Sequence, residues 1–212
     1  MLLTPMLTRR HLLVCTAMTG LLFAVAPGAA FAQGGGQGGG AAEATAFITK
    51  LGSDLIAIVN APGGYEDKKR RLHPLIESAV AVDEIAKFCL GRFARTATPT
   101  QLQEYTRLFH DVLMNNITGK IGEFQGVAFA PTQTTQREAD ILIGTLISRP
   151  NQKPNNVQWV VNQIGGQPKI LDVIAEGTSL RLTQRSDYAA FLARNNNDVG
   201  ALIGAMKQQI AR

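Results

Sequence analysis

The chain has 212 residues, is 45% hydrophobic and 17% charged, and carries 21 basic against 16 acidic side chains for a net charge of +5. That balance excludes a disordered polyelectrolyte, and so mild a basic excess does not build the dense cationic face of a nucleic-acid binder. Two cysteines leave no room for a disulfide framework.

The first residues read as an export signal. Arg9 and Arg10 form a positive start, Leu12 to Val25 an apolar run, and Ala30-Phe31-Ala32 a small-residue cleavage motif, so cleavage is expected after Ala32. The apolar run is shorter than the roughly 18–20 residues of a membrane-spanning helix and ends at Pro27-Gly28. Thr8-Arg9-Arg10-His11-Leu12-Leu13 fits the twin-arginine route as well as the general one. Leu13 and Val14 before Cys15 argue against lipidation, which needs a small residue there. Loss of residues 1–32 removes two arginines and no acids, leaving 19 basic and 16 acidic side chains, a net of +3. Cys89 is then the one remaining cysteine, and its neighbours Phe88 and Leu90 predict a buried, inert thiol.

Residues 33–43 are glycine-rich and are expected to form a flexible lead, with one domain over 44–212. Phe47, Leu51, Leu55, Ile58 and Val59 recur at helical spacing until Asn60-Ala61-Pro62-Gly63-Gly64 stops the helix. A second helix starts at Tyr65, and its run Lys68, Lys69, Arg70 and Arg71 predicts a solvated face. A short third helix is expected from Asp83 to Arg92. Thr98-Pro99-Thr100-Gln101 then spells a capping box with proline at the first helical position, and Leu102, Tyr105, Leu108, Phe109, Val112 and Leu113 mark the buried stripe of the helix that follows to about Gly119.

Beyond Gly122 the period becomes two. Val127 with Phe129, Ile141 with Ile143, Val157 with Trp159 and Val161, and the run Lys169 to Ala175 predict four strands joined as antiparallel hairpins. Helices are expected again over Gln184–Arg194 and from about Asp198 to Ala211, the latter capped by Asn197 or Asp198. The fold class is therefore α+β, with amphipathic helices packed on a four-stranded antiparallel twisted sheet that encloses an apolar cavity.

Catalytic constellations do not emerge. His73 and His110 stand alone, which predicts no metal site. Gly177-Thr178-Ser179-Leu180 lacks the second glycine of a nucleophile elbow, no phosphate loop occurs, and Asp83 with Glu84 opens a helix, where the dipole explains them. Neither an enzymatic role nor a cofactor is expected.

Leu90-Gly91-Arg92-Phe93-Ala94-Arg95-Thr96-Ala97-Thr98-Pro99-Thr100-Gln101, followed by Tyr105 and Phe109, resembles the signature of the MlaC or toluene-tolerance family of periplasmic lipid-binding proteins. Asp172 to Leu180, then Gln184-Arg185-Ser186-Asp187-Tyr188, resembles that family's passage from last strand to C-terminal helices, and similar helix spacing covers nearly all of residues 44–211. The polar, proline-bearing stretch Pro150 to Asn156 departs from the pattern. The resemblance implies a periplasmic shuttle for phospholipid between an outer-membrane lipoprotein and porin complex and an inner-membrane ABC transporter, in maintenance of outer-membrane asymmetry. A hopanoid-associated branch of the family implies hopanoid as the alternative ligand, and an envelope adaptor or a periplasmic enzyme built on the same cavity are the rival roles. Lipid-lining residues expected on the sheet are Val127, Phe129, Ile141, Ile143, Trp159, Val161, Leu171 and Val173, with Phe93, Phe109 and Leu113 opposite. Ordinary core packing is the competing explanation for each of them. Asp172, Glu176 and Gly177 are expected to hold the strand-to-helix turn rather than to react.

Overall fold

The computed structural model describes residues 37–119, 121–150 and 152–211, so the expected signal peptide and its cleavage site lie outside the described residues. Among the described residues four helices come first: α1 (Gln37–Asn60), α2 (Tyr65–Ala79), α3 (Val82–Leu90), which runs into a 3-10 turn at Gly91–Arg95, and α4 (Pro99–Thr118). After a second 3-10 turn at Ile121–Phe124 the chain forms an antiparallel meander of β1 (Ala128–Arg137), β2 (Asp140–Ser148), β3 (Asn155–Ile164), β4 (Gln167–Ala175) and the two-residue β5 (Thr178–Ser179), ordered as in the sequence. Helices α5 (Leu180–Arg194) and α6 (Val199–Ile210) close the chain. The α+β class stands, with five strands in place of the four expected. β5 exists because Glu176 (φ 51°) and Gly177 (φ 78°) turn the chain back so that Thr178 and Ser179 pair with Ala175 and Ile174.

Several boundaries follow from local chemistry. The capping box forms as the sequence predicts, Gln101 N donating to Thr98 Oγ1 at 3.2 Å and Thr98 N to Gln101 Oε1 at 3.0 Å. α3 ends at Leu90, short of the expected Arg92, because Gly91 adopts φ 57° and ψ −129°. α5 starts four residues before the expected Gln184, since Ser179 caps it and accepts from Leu182 N at 3.0 Å. Asp198 rather than Asn197 caps α6, accepting from Gly200 N at 2.8 Å. The β3–β4 hairpin turns on Gly165 and Gly166, both at positive φ (61° and 76°), the arrangement a tight two-residue turn requires.

Two expectations are corrected. Residues 37–43, expected as part of a flexible lead, are helical, for α1 begins at Gln37. Ala41 and Ala42 are strong helix formers, and Thr45 Oγ1 donates to the Ala41 carbonyl at 2.8 Å, so the helix extends back from the point where it packs on the sheet. Lys68, expected on a solvated face with Lys69, Arg70 and Arg71, is buried, and its Nζ donates to the Val59 carbonyl at 2.6 Å. That carbonyl lies in the last turn of α1, where main-chain acceptors have no helical partner. Arg70 and Arg71 do stay exposed.

Three apolar clusters hold the fold. The first is purely helical: Ala86, Leu90, Phe93, Tyr105, Leu108, Phe109, Leu192, Leu202 and Met206 join α3, α4, α5 and α6. In the second, α1 lies on one sheet face, with Ala44, Ile48 and Leu51 against Ile143, Val161 and Ile170. The third gathers Val59, Leu72, Ile76, Met114 and Ile121 where α1, α2 and α4 meet. Val80 packs against all three, and Leu55 joins the second to the third.

Candidate functional site

The α1-facing side of the sheet is built by cross-strand pairs, Ile141 with Val161, Ile143 with Trp159 and Trp159 with Val173. Alternation places these side chains on one face, where Phe129 joins them from β1, its ring 6.4 Å from that of Trp159. Trp159 Nε1 donates to Thr145 Oγ1 at 2.9 Å and that hydroxyl donates to the Val157 carbonyl at 3.1 Å, so the indole is fixed and its polar edge is satisfied inside an apolar wall. Above lies α1, whose Gly52 has no side chain. A Cβ there would sit 2.9 Å from the Phe129 ring, so ring and helix backbone touch directly.

Six expected lining residues thus come together: Phe129, Ile141, Ile143, Trp159, Val161 and Val173. Leu171 falls outside the cluster because β4 bulges. Val160 pairs with Asp172 but Val161 with Ile170, which leaves Leu171 without a partner and hands its place to Ile170, 3% exposed. Val127 precedes β1, half-buried and outside all three clusters. Phe93, Phe109 and Leu113 do not face the sheet but pack in the all-helical core. The wall opposite the sheet is instead Ala44, Phe47, Ile48, Leu51 and Leu55 of α1, with Leu75, Ala79 and Val80 from α2 and its end. Of these, Phe47, Leu51 and Leu55 were visible as a helical stripe, but a stripe does not say which neighbour it meets.

The site's polar groups hold backbone in place. Asp172, 6% exposed, accepts from Val173 N at 2.8 Å and Arg181 N at 3.0 Å through Oδ1, and from the Ser179 hydroxyl through Oδ2. Its carboxylate therefore ties β4 to the positive end of α5. At the α2–α3 junction, Ala81 N donates to the Ile170 carbonyl at 3.0 Å, pinning the helices to the bulged strand. His110 pairs with Asp83 and His73 with Glu77, each within the helical layer. Cys89 is buried, and burial pushes its thiol from 9.0 up to about 12, with Asp172 adding to the rise and Arg181 and Arg185 opposing it. Burial likewise raises Tyr105 and Tyr188 well above the usual phenol range, and the Tyr105 hydroxyl donates to the Ala86 carbonyl at 2.9 Å.

Fold and site together define an α+β protein in which a five-stranded meander turns one apolar face to a long helix, with a separate helical core beside it. Among the described residues no helix is long and apolar enough to cross a membrane. Residues 50–208 match the sequence model of the MlaC protein family, and the chain belongs to that family. The toluene tolerance protein ttg2D of Pseudomonas putida is 26% identical over 151 residues, covering 70% of this chain and 68% of that protein. A phospholipid-binding protein from Ralstonia solanacearum, solved in complex with a phospholipid, shares the fold with a TM-score of 0.71 at 18% identity, over 80% of this chain and 99% of that one.

Proposed function

We propose that this protein takes the acyl chains of a phospholipid between α1 and the sheet, and that it carries the lipid through the periplasm between an outer-membrane complex and an inner-membrane ABC transporter. The observation that carries the reading is the apolar layer of Ile48, Leu51, Ile143, Val161 and Ile170, continuous through Leu55 and Val80 with the cluster beneath α2. Membership of the MlaC family and the phospholipid held by a protein of the same fold support it.

The energetics suit a carrier. Moving a chain of about 15 methylenes out of water at ~0.8 kcal/mol each is worth roughly 12 kcal/mol, so free lipid in water is negligible. A bilayer offers nearly the same gain. Transfer between membrane and protein then has a small net free energy, and the carrier has no need of an energy source of its own. The side chains of Ile143 and Val161 are fully packed in this structure, so lipid uptake requires α1 to move off the sheet and expose them. Asp172 and Ser179 serve as turn-holding groups in this reading, not as reacting ones.

Native mass spectrometry of protein purified from its own envelope tests the proposal. The expected result is a bound phospholipid at one-to-one stoichiometry, released on denaturation. Val161→Glu places a carboxylate where neither water nor a partner is present and should abolish the adduct, while Arg71→Glu on exposed α2 surface should leave it intact. A folded Val161→Glu protein with full lipid content would overturn the site. A hopanoid adduct would keep the carrier and change its cargo.

A further inference from the structure

Helices α3 and α5 and the 3-10 turn between α3 and α4 border an open surface cleft of about 450 Å³, lined by Lys87, Phe88, Arg92, Arg95 and Arg185 with Glu84 as its one acid. Phe88 forms an aromatic wall on which two guanidinium groups rest, Arg185 at 4.7 Å and Arg181 at 4.2 Å from the ring centre. Gly91 permits this arrangement: a Cβ there would lie 3.3 Å from Arg185 Nε. Among the described residues none of these five cations forms an ion pair, although Lys50, Arg70, Arg107 and Lys207 each hold an acid. Like charges gathered around a concave, low-dielectric wall raise a local potential that an anion relieves, and guanidinium groups stacked on a ring keep their N–H edges free for phosphate oxygens. Among the described residues, two of the three exposed large apolar side chains, Leu180 (53%) and Leu182 (57%), flank Arg181 at the start of α5, and Leu182 shares a helix side with Arg185. A dissolved phosphate ion has no use for exposed leucines beside its site. A lipid surface accepts both, phosphate in the cleft and leucine among the acyl chains.

We infer that this cleft receives the phosphate-bearing headgroup of an anionic phospholipid while it is still part of a membrane, and that Leu180 and Leu182 dip into the bilayer beside it. This surface is separate from the apolar layer under α1 and does not depend on what that layer carries. Co-sedimentation of the processed protein with vesicles of phosphatidylethanolamine and phosphatidylglycerol, against pure phosphatidylcholine, tests it. Binding is expected only to the anionic vesicles, weakening with salt. Arg92→Glu/Arg185→Glu should lower it at least about tenfold, as should the milder Arg92→Gln/Arg95→Gln if the first variant melts early. Leu182→Ser should also weaken vesicle binding, and Arg71→Glu, which removes two units of positive charge on α2 just as the glutamine pair does in the cleft, should leave it within about twofold. Equal loss in Arg71→Glu, or no binding to anionic vesicles, overturns the assignment. So does full competition by inorganic phosphate with Leu182→Ser unaffected, which would make the site one for the free ion. Capture of a polyglutamate peptide without vesicle binding would give the cleft to an acidic protein and equally overturn it.

Discussion

At the scale of single residues, the least expected group is Lys68. A lysine inside a run of four cations is read as solvated because solvation is the cheapest fate for a charge, yet this one reaches the Val59 carbonyl at the end of α1. The periodicity of α2 did carry a signal, since Lys68 stands four residues before Leu72 and eight before Ile76 on the stripe the helix buries, but the run of charge outweighed it. Lys68→Met keeps the aliphatic stem and removes the donor, leaving a main-chain acceptor unsatisfied. The expected cost is about 1–3 kcal/mol, seen as a lower midpoint in urea with an unchanged slope. An unaltered midpoint would mean that water replaces the ammonium. Cys89, by contrast, was legible: Phe88 and Leu90 beside it signalled burial, and its raised titration range has that cause. The expectation that Asp172, Glu176 and Gly177 hold the strand-to-helix turn has its counterpart in the hydrogen bond from Arg181 N to Asp172 and in the positive φ of Glu176 and Gly177.

At the scale of elements, α1 against the sheet is the contact on which the candidate site rests. Gly52 sits mid-helix, where alanine would ordinarily gain about 1 kcal/mol from propensity, but its Cβ would meet the Phe129 ring at 2.9 Å. Gly52→Ala is therefore expected to destabilise the protein by about 1 kcal/mol net, the overpacking outweighing the propensity. In a Phe129→Ala background the sign should reverse. Thermal melts of the four proteins of this cycle measure it, and an additive result would mean that ring and helix do not touch. The strands themselves were legible from their alternation, but register was not. Nothing in Lys169 to Ala175 announces that β4 bulges at Leu171, so an unbroken period of two selected Leu171 in place of Ile170. The far half of β1 escaped notice for another reason. It is an exposed edge strand of Thr, Gln and Pro131 with no apolar side to bury, a composition that discourages pairing with another chain. Phe93, Phe109 and Leu113 were expected opposite the sheet and pack instead in the helical core, Phe93 and Phe109 buried and Leu113 half-buried, because amphipathicity fixes a face and not the element it meets.

At the scale of the whole molecule, the helical core and the α1–sheet layer are distinct clusters that meet at Val80. This division makes a reversible lock possible. Thr45 of α1 and Thr134 of β1 face each other with their hydroxyl oxygens 2.8 Å apart, so their side chains meet across the helix–sheet contact. Thr45→Cys/Thr134→Cys should therefore clamp the first half of α1 to the sheet when oxidised and release it when reduced. Cys89 does not interfere, because it is buried and its thiol stays protonated at neutral pH. If lipid is taken up beneath α1, the oxidised, delipidated variant should gain no phospholipid from vesicles over hours, and reduction should restore uptake to the level of the unsubstituted protein. Lipid trapped before oxidation should be retained under the same conditions. Comparison of one sample in two redox states removes stability as an explanation, since the substitutions are common to both. Uptake at the same rate in both states would mean that the first half of α1 stays seated during loading, and that the chains pass instead through the cluster under α2, where Leu55 and Val80 join the two apolar regions.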